Sequence, residues 1–127
     1  MNRQTLNVAA LTAYCALIYW LSDQSKLPIP LEFRFGDKIV HAVAYGVMGW
    51  LAWQIATAWI NDRPKRWLAA TLFCSFYGIT DEYHQSFVAG RFSDPFDWLA
   101  DTLGAAAVCG LLWTVRRDVE RRKTKLT

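Results

Sequence analysis

Apolar residues in this chain are gathered into four runs, and most charged residues lie in the short segments between them. The runs cover residues 5–22, 39–60, 67–80 and 98–115, and Asp101 is the only charged residue inside them. A helix needs about 20 mainly apolar residues to cross the roughly 30 Å hydrocarbon core of a bilayer. Because three of the runs reach about this length, the pattern predicts membrane-spanning helices.

The third run is too short to cross a bilayer, because its 14 residues extend only about 21 Å as a helix. We therefore predict that its helix continues through residues 81–85, to about residue 87. The predicted helices then cover about residues 5–22, 37–60, 67–87 and 95–115, with a basic tail at residues 116–127. Together they form one all-α domain over residues 1–127, an integral membrane four-helix bundle.

Tryptophan positions distinguish this bundle from a small soluble helical protein. Five tryptophans lie near ends of the runs, where membrane proteins place amphipathic rings at the level of the lipid head groups. They are Trp20, Trp59, Trp67, Trp98 and Trp113. We predict that the other two, Trp50 and Trp53, pack inside. The first run has no small-residue cleavage pattern, so a retained helix is favoured over a signal peptide.

Basic residues are distributed unequally between the two sides of the predicted bundle. The N-terminus, segment 61–66 and the tail together contain ten Lys and Arg residues, whereas the other side contains four. The positive-inside rule therefore predicts that both termini are cytoplasmic. Beside a membrane helix, the basic tail is an anchor for anionic lipids rather than a nucleic-acid patch.

Acidic residues show the opposite distribution. Eight of the eleven lie on the predicted outer side: Asp23, Glu32, Asp37, Asp81, Glu82, Asp94, Asp97 and Asp101. The only substantial connecting segment, residues 23–36, is on the same side and is stiffened by Pro28 and Pro30. Because acids do little to orient membrane helices, their accumulation suggests a site on the outer face.

Asp37, His41 and Tyr45 are spaced four residues apart, so they lie on one face of the second helix. Asp37 is explained by its interaction with the positive end of the helix, and Tyr45 by packing with a bonded hydroxyl. His41 lies one turn deeper and is harder to explain by packing, although a lone buried His is often only hydrogen-bonded.

The third helix ends in two adjacent acids, Asp81 and Glu82, followed by Gln85. Asp81 and Gln85 share a face, whereas Glu82 points to a different side. We predict that one acid faces the bundle and the other faces a partner such as Arg91.

Residues 93–97 form a strong helix start, with Ser93 and Asp94 available as caps, Pro95 at the first helical position and Asp97 in the first turn. Capping explains Asp94 and largely explains Asp97, but it does not explain Asp101, about 10 Å deeper. An intramembrane acid without a capping role is a candidate functional residue. The small residues that follow it would allow another helix to approach closely.

These residues, in this order along the chain, resemble the VanZ-like family of small bacterial membrane proteins: Asp37-Lys38-x-x-His41-x-x-x-Tyr45, Asp81-Glu82-x-x-Gln85-x-Phe87, Arg91, Asp94, Asp97, Asp101 and Gly104. The resemblance extends from about residue 22 to residue 110. It implies a multi-pass protein of the bacterial cytoplasmic (inner) membrane. The family takes its name from an accessory protein associated with lowered susceptibility to the glycopeptide teicoplanin. Relatives often carry Asn at the position of Asp101, and a hydrogen-bonding role there fits both residues.

The first functional hypothesis is a binding or accessory protein. Its outer face would engage a membrane lipid head group or a cell-envelope component such as a lipid-linked precursor, with Lys38, Arg91 and Arg34 meeting phosphate. The candidate binding residues are Asp37, Lys38, His41, Tyr45, Asp81, Glu82, Gln85, Arg91, Asp97 and Asp101.

The second hypothesis is a membrane-embedded enzyme that acts on an envelope lipid or a lipid-linked precursor. His41, Glu82 or Asp101 would be the catalytic acid or base. Alternatively, oxygen atoms of Asp81, Asp97 and Asp101 would hold a divalent cation such as Mg²⁺. No nucleophile elbow, P-loop or zinc-type His/Cys spacing is present, so no cofactor is evident.

The third hypothesis is structural, with a charged network that only holds four helices together. An apolar bundle would avoid the cost of burying these charges, so a cluster this dense favours a ligand.

Overall fold

The computed structural model describes residues 1–25 and 35–124, and for residues 116–124 it describes only the helical backbone. Within this part the chain forms four α-helices and no strand: α1 (Arg3–Ser22), α2 (Gly36–Ala56), α3 (Arg63–Gln85) and α4 (Pro95–Thr124). The predicted all-α, four-helix fold is therefore confirmed. The predicted connecting loop with Pro28 and Pro30, together with Arg34, lies outside the described residues.

Three helix ends differ from the predicted ones by four residues or more, and the other ends agree within two residues. As predicted, α3 continues through its acidic segment to Gln85, but it begins four residues earlier, where Pro64 suits a first turn. Helix α2 ends at Ala56 rather than residue 60, because turns with bonds between residues three and four apart follow it. Helix α4 continues to Thr124, since the basic segment after Val115 contains good helix formers and no Gly or Pro. Most of the predicted tail is therefore helical.

Three of the described helices are long and apolar enough to cross a membrane: α1, α2 and α4 as far as Val115. Helix α3 has 23 residues and is about 34 Å long. It contains more polar residues than a helix of that kind, so it is not among these three. Large apolar side chains are exposed on the outward faces of the bundle, among them Val43, Phe76, Leu103 and Leu111. Apolar residues outside and ionisable residues inside are the arrangement that lipid requires.

The interior is packed in two apolar clusters along the bundle axis. One contains Ile18, Tyr45, Met48, Cys74 and Ala105, and the other contains Ala52, Trp53, Ala70 and Cys109. Trp53 is fully buried, as predicted, whereas Trp50 is 45% exposed and the prediction for it was wrong. Trp50 lies on the outward face of α2, between buried Gly49 and Leu51.

Helices α2 and α4 run parallel and pack most closely, through small residues. A Cβ atom added to Gly104 would lie 2.1 Å from the carbonyl oxygen of Ala42, and one added to Gly49 would lie 3.1 Å from the Cα of Ala105. The thiol of Cys109 also donates to the Gly49 carbonyl oxygen, at 3.3 Å. The small residues after Asp101 therefore do allow a close helix, as the sequence predicts.

Because successive helices run in opposite directions, the C-terminal ends of α1 and α3 and the N-terminal ends of α2 and α4 lie at the same end of the bundle. Hydrogen bonds join the last turn of α1 to that of α3, from Ser22 to Asp81, and the first turn of α2 to the start of α4, from Lys38 to Asp94. A bond from the Asp94 backbone N–H to Glu82 joins α4 to α3. We call this the polar end of the bundle. At the opposite end, Gln4 donates to the Ile55 carbonyl oxygen, and Trp67 donates to that of Ala106.

Candidate functional site

The polar end brings together all ten residues that the sequence predicts for the site. Seven of them are buried: His41, Tyr45, Asp81, Glu82, Gln85, Asp97 and Asp101. Asp101, which lies deepest along α4, is fully inaccessible to solvent. Asp37 and Lys38 are more exposed, and Arg91 is half-buried. The seven buried residues come from α2, α3 and α4, and they form distinct groups.

The first group surrounds Lys38 at the outer edge of the polar end. Its ammonium lies 2.7 Å from Asp37 Oδ2, 2.7 Å from Asp94 Oδ2 and 2.5 Å from Asp97 Oδ1. Asp94 also caps α4, because its Oδ1 accepts a bond from the Phe96 backbone N–H at 2.9 Å. The hydrogen bond from Lys38 and this cap hold the pKa of Asp94 below its ordinary value. Because its ammonium is paired with three carboxylates, Lys38 does not offer a free cation to a ligand.

His41 connects two acids on successive turns of α4. Its Nδ1 lies 2.8 Å from Asp101 Oδ1, and its Nε2 lies 3.6 Å from Asp97 Oδ2. The separation of Asp97 and Asp101 by four residues places both carboxylates on the face of α4 that meets His41. A buried histidine between two carboxylates can hold a proton or offer a ring nitrogen to a ligand.

Asp81 forms a second network on the side of α1. Ser22 Oγ donates to Asp81 Oδ1, Tyr45 donates to Asp81 Oδ2 at 3.0 Å, and Gln85 Nε2 donates to Ser22 Oγ at 3.2 Å. Ser22 was missed as a site residue, since a single serine at a helix end carries no distinctive pattern. Its position at the C-terminal end of the first apolar run was the one available signal.

Glu82 faces the start of α4, and among the described residues neither of the two adjacent acids pairs with Arg91, the partner predicted for one of them. Its Oε2 accepts a bond from the Asp94 backbone N–H at 2.8 Å and lies 3.3 Å from Ser93 Oγ. The expectation that only one of the two adjacent acids faces the bundle is also wrong, because Asp81 and Glu82 are both buried. The tip of α3 lies between α1 and α4, so residues about 100° apart on α3 both meet a neighbouring helix.

A small cavity of about 50 Å³ lies beside these groups. Its polar lining includes His41, Tyr45, Asp81, Gln85 and Arg91, and its apolar lining comes from α1 and α2. Arg91 Nη1 is 3.4 Å from the Gln24 carbonyl oxygen, and within the described chain it forms no ion pair. One wall of the cavity thus offers a cation and the other offers apolar side chains.

A protein-family model described as VanZ/LLP1 matches residues 3–116. The chain belongs to the VanZ/LLP1 family. The match covers the ten site residues and all of the membrane-type helices, so the chain is a VanZ-like membrane protein. No curated protein and no solved structure matches it significantly.

Two sets of residues in this VanZ/LLP1 protein place metal-ligand types of atom close together. One ligand atom each from His41, Glu82 and Asp97 lie within 4.8 Å of one another, and so do atoms from His41, Asp81 and Asp101. The set predicted from the sequence, Asp81, Asp97 and Asp101, is not one of the two sets found among the described residues. His41 takes part in both sets because it lies between α3 and α4.

Proposed function

We propose that this VanZ/LLP1 protein binds the phosphate-bearing head group of an envelope lipid or lipid-linked precursor at its polar end. The observation that carries the proposal is the cavity, because it has apolar walls from Ile18, Leu21 and Val40 next to polar groups and Arg91. An amphiphile needs this combination, with a cation for the head group and apolar contacts for the start of the chain. Such binding fits an accessory role in envelope biology or glycopeptide tolerance.

Arg91 is the residue we assign to the phosphate. A guanidinium can form two parallel hydrogen bonds to phosphate, and charge-assisted bonds are about twice as strong as neutral ones. Arg91 makes one long bond to a backbone oxygen, whereas three carboxylates neutralise Lys38. Among the described residues of the polar end, Arg91 is thus the better donor for an anion. Tyr45 and Gln85 line the same cavity and would contact sugar or amide groups.

The proposed location is the bacterial inner membrane, with both termini in the cytoplasm and the polar end facing outward. The unequal distribution of Lys and Arg supports this orientation. The basic residues of segment 61–66 lie at the end of the bundle opposite the polar end. A lipid would then enter the cavity from the outer leaflet.

A fusion at the C-terminus tests the orientation. We expect green fluorescent protein fused after residue 127 to fluoresce and alkaline phosphatase fused there to be inactive, because the first works in the cytoplasm and the second outside it. Fusions after Phe87, between α3 and α4, should give the reverse pattern. Active phosphatase at the C-terminus would place the polar end in the cytoplasm and exclude an outer-leaflet ligand.

Arg91→Gln tests the binding site. We expect the affinity for short-chain phosphatidylglycerol and for a polyprenyl phosphate to fall at least about tenfold, because a charge-assisted hydrogen bond contributes roughly 1.5–3 kcal/mol. Affinity would be measured by titrating the purified protein in detergent and following tryptophan fluorescence. Lys65→Gln removes an exposed cation at the other end of the bundle and is the matched control. Equal binding by wild type and Arg91→Gln, or equal loss in Lys65→Gln, would contradict the proposal.

A second candidate function is catalysis on the same lipid, and the buried pair of His41 and Asp101 favours it. Their 2.8 Å contact gives His41 a carboxylate partner, and His41 also lines the cavity. Mass spectrometry of the same lipids after incubation distinguishes the two functions. A new product formed by wild type and not by His41→Gln supports an enzyme, whereas unchanged lipid supports binding alone.

A further inference from the structure

The cluster between α2, α3 and α4 contains more buried acids than basic partners. Four buried acids, Asp81, Glu82, Asp97 and Asp101, lie around His41, and Lys38 is the adjacent base. Two of their oxygen atoms, Glu82 Oε1 and Asp101 Oδ2, are buried with no hydrogen-bond partner among the described residues. Buried, unpaired carboxylate oxygens are costly, and a cation stabilises them.

We propose that His41, Glu82 and Asp97 bind a divalent transition-metal ion such as Zn²⁺ or Mn²⁺. Their ligand atoms lie within 4.8 Å of one another. His41 Nε2 and Asp97 Oδ2 are 3.6 Å apart, close to the about 3.4 Å that separates two tetrahedral ligands lying about 2.1 Å from a metal. A small movement of these side chains would complete three-point coordination.

Each of the three ligands keeps one atom free because its other atom is already held. His41 Nδ1 meets Asp101, Asp97 Oδ1 meets Lys38, and Glu82 Oε2 meets the start of α4. His41 Nε2, Asp97 Oδ2 and Glu82 Oε1 are thus the atoms we assign to the metal. In the tautomer whose Nδ1–H donates a hydrogen bond to Asp101, the lone pair of Nε2 is available for a metal.

The contact between His41 and Asp101 is the outer-shell arrangement that metal-binding histidines have. A ligating histidine almost always donates its other ring N–H to a carboxylate, carbonyl or water, which fixes the ring and raises its basicity. Asp101 is therefore a positioning residue for the proposed metal, and its hydrogen bond to His41 accounts for its depth on α4. The imidazole ligand favours Zn²⁺ and the two carboxylates suit Mn²⁺, whereas Mg²⁺ keeps several waters and binds through oxygen ligands.

Three protein ligands leave at least one coordination position open on such a metal. In zinc enzymes this position holds a water or a substrate atom, whereas structural zinc sites are closed by four protein ligands. The proposed site stands independently of the head-group binding at Arg91, because it uses other side chains and is tested with the metal alone.

Metal binding by the purified protein in detergent tests this inference. We expect one Zn²⁺ or Mn²⁺ per chain by calorimetry, bound more tightly than Mg²⁺. Pulsed electron paramagnetic resonance of bound Mn²⁺ should show coupling to a nitrogen nucleus, from His41. Wild type that binds neither metal, or Mn²⁺ bound without nitrogen coupling, would overturn the proposal, and neither result depends on the folding of a variant.

Substitutions then identify the ligands. Glu82→Gln and Asp97→Asn keep side-chain size and should weaken binding by about 100-fold or more, since even outer-shell changes typically cost 10–100-fold. Asp101→Asn should weaken it within that outer-shell range. Asp23→Asn, an exposed acid at the same end, is the matched control and should bind normally. Equal loss in Asp23→Asn and Glu82→Gln would indicate surface binding and reject the site.

Discussion

Gly104→Ala should lower the free energy of unfolding by about 3 kcal/mol or more, at the upper end of what overpacking costs. The added Cβ would lie 2.1 Å from the Ala42 carbonyl oxygen and 2.7 Å from the Ala42 Cα. These are backbone atoms, so no side-chain rotation relieves the clash, and α2 and α4 must separate. Their separation would also move His41 away from Asp97 and Asp101. Titration with sodium dodecyl sulfate in mixed micelles measures the loss of stability.

Gly110→Ala is the matched control for this substitution. Gly110 lies on the same helix, and an added Cβ would make an ordinary contact, 3.6 Å from Trp67 Nε1. Because alanine favours helix by about 1 kcal/mol over glycine, this variant should be as stable as wild type or more stable. Similar unfolding midpoints for Gly104→Ala and wild type would show that α2 and α4 do not pack as closely as described.

Lys38→Met should destabilise the protein by about 2 kcal/mol. Breaking a buried ion pair typically costs 3–5 kcal/mol, and the expected value is lower because Lys38 is 24% exposed. Asp37 and Asp94 can be hydrated in the variant, with 53% and 34% of their side chains exposed. Only 10% of the Asp97 side chain is exposed, so water cannot hydrate it. Asp97 is therefore left as a buried charge without its counter-ion. The same detergent titration measures the change.

A double substitution separates the charge of Asp97 from the packing of Lys38. Asp97→Asn removes the uncompensated charge, so Lys38→Met with Asp97→Asn should recover about half of the lost stability, as a double-mutant cycle would show. Lys65→Met removes a lysine that is 77% exposed and should change stability by less than about 0.5 kcal/mol. If Lys38→Met behaved like Lys65→Met, Lys38 would not hold the polar end together.

The helices follow directly from the order of residues along the chain. Apolar runs of membrane length predicted α1, α2 and α4, and the shortness of the third run predicted that α3 continues through its acidic segment. Pro95 placed the start of α4 correctly, whereas the start of α3, which Pro64 marks, was predicted four residues too late. The ends were less accurate, because α2 ends in turns four residues before the apolar run does, and nothing in the sequence marks Ala56 as a helix end.

Apart from Ser22, the membership of the polar end was also predictable, but its pairings were not. Four-residue spacing placed His41 and Tyr45 on one face of α2, and Asp97 and Asp101 on one face of α4. It did not show that His41 meets Asp101 or that Glu82 meets the start of α4. Spacing fixes directions around one helix axis, whereas these bonds depend on which helices are neighbours and how they are rotated.

The sequence by itself determined that this is a four-helix, VanZ-like membrane protein with its ionisable residues at one end, because both conclusions depend on local patterns of apolar and charged residues. Only the tertiary structure decided that Lys38 is surrounded by acids, that Arg91 lines a cavity, and that Glu82 and Asp97 converge on His41. The physical reason is the parallel contact of α2 with α4 through Gly104. That contact brings residues some sixty positions apart in the chain within hydrogen-bonding distance.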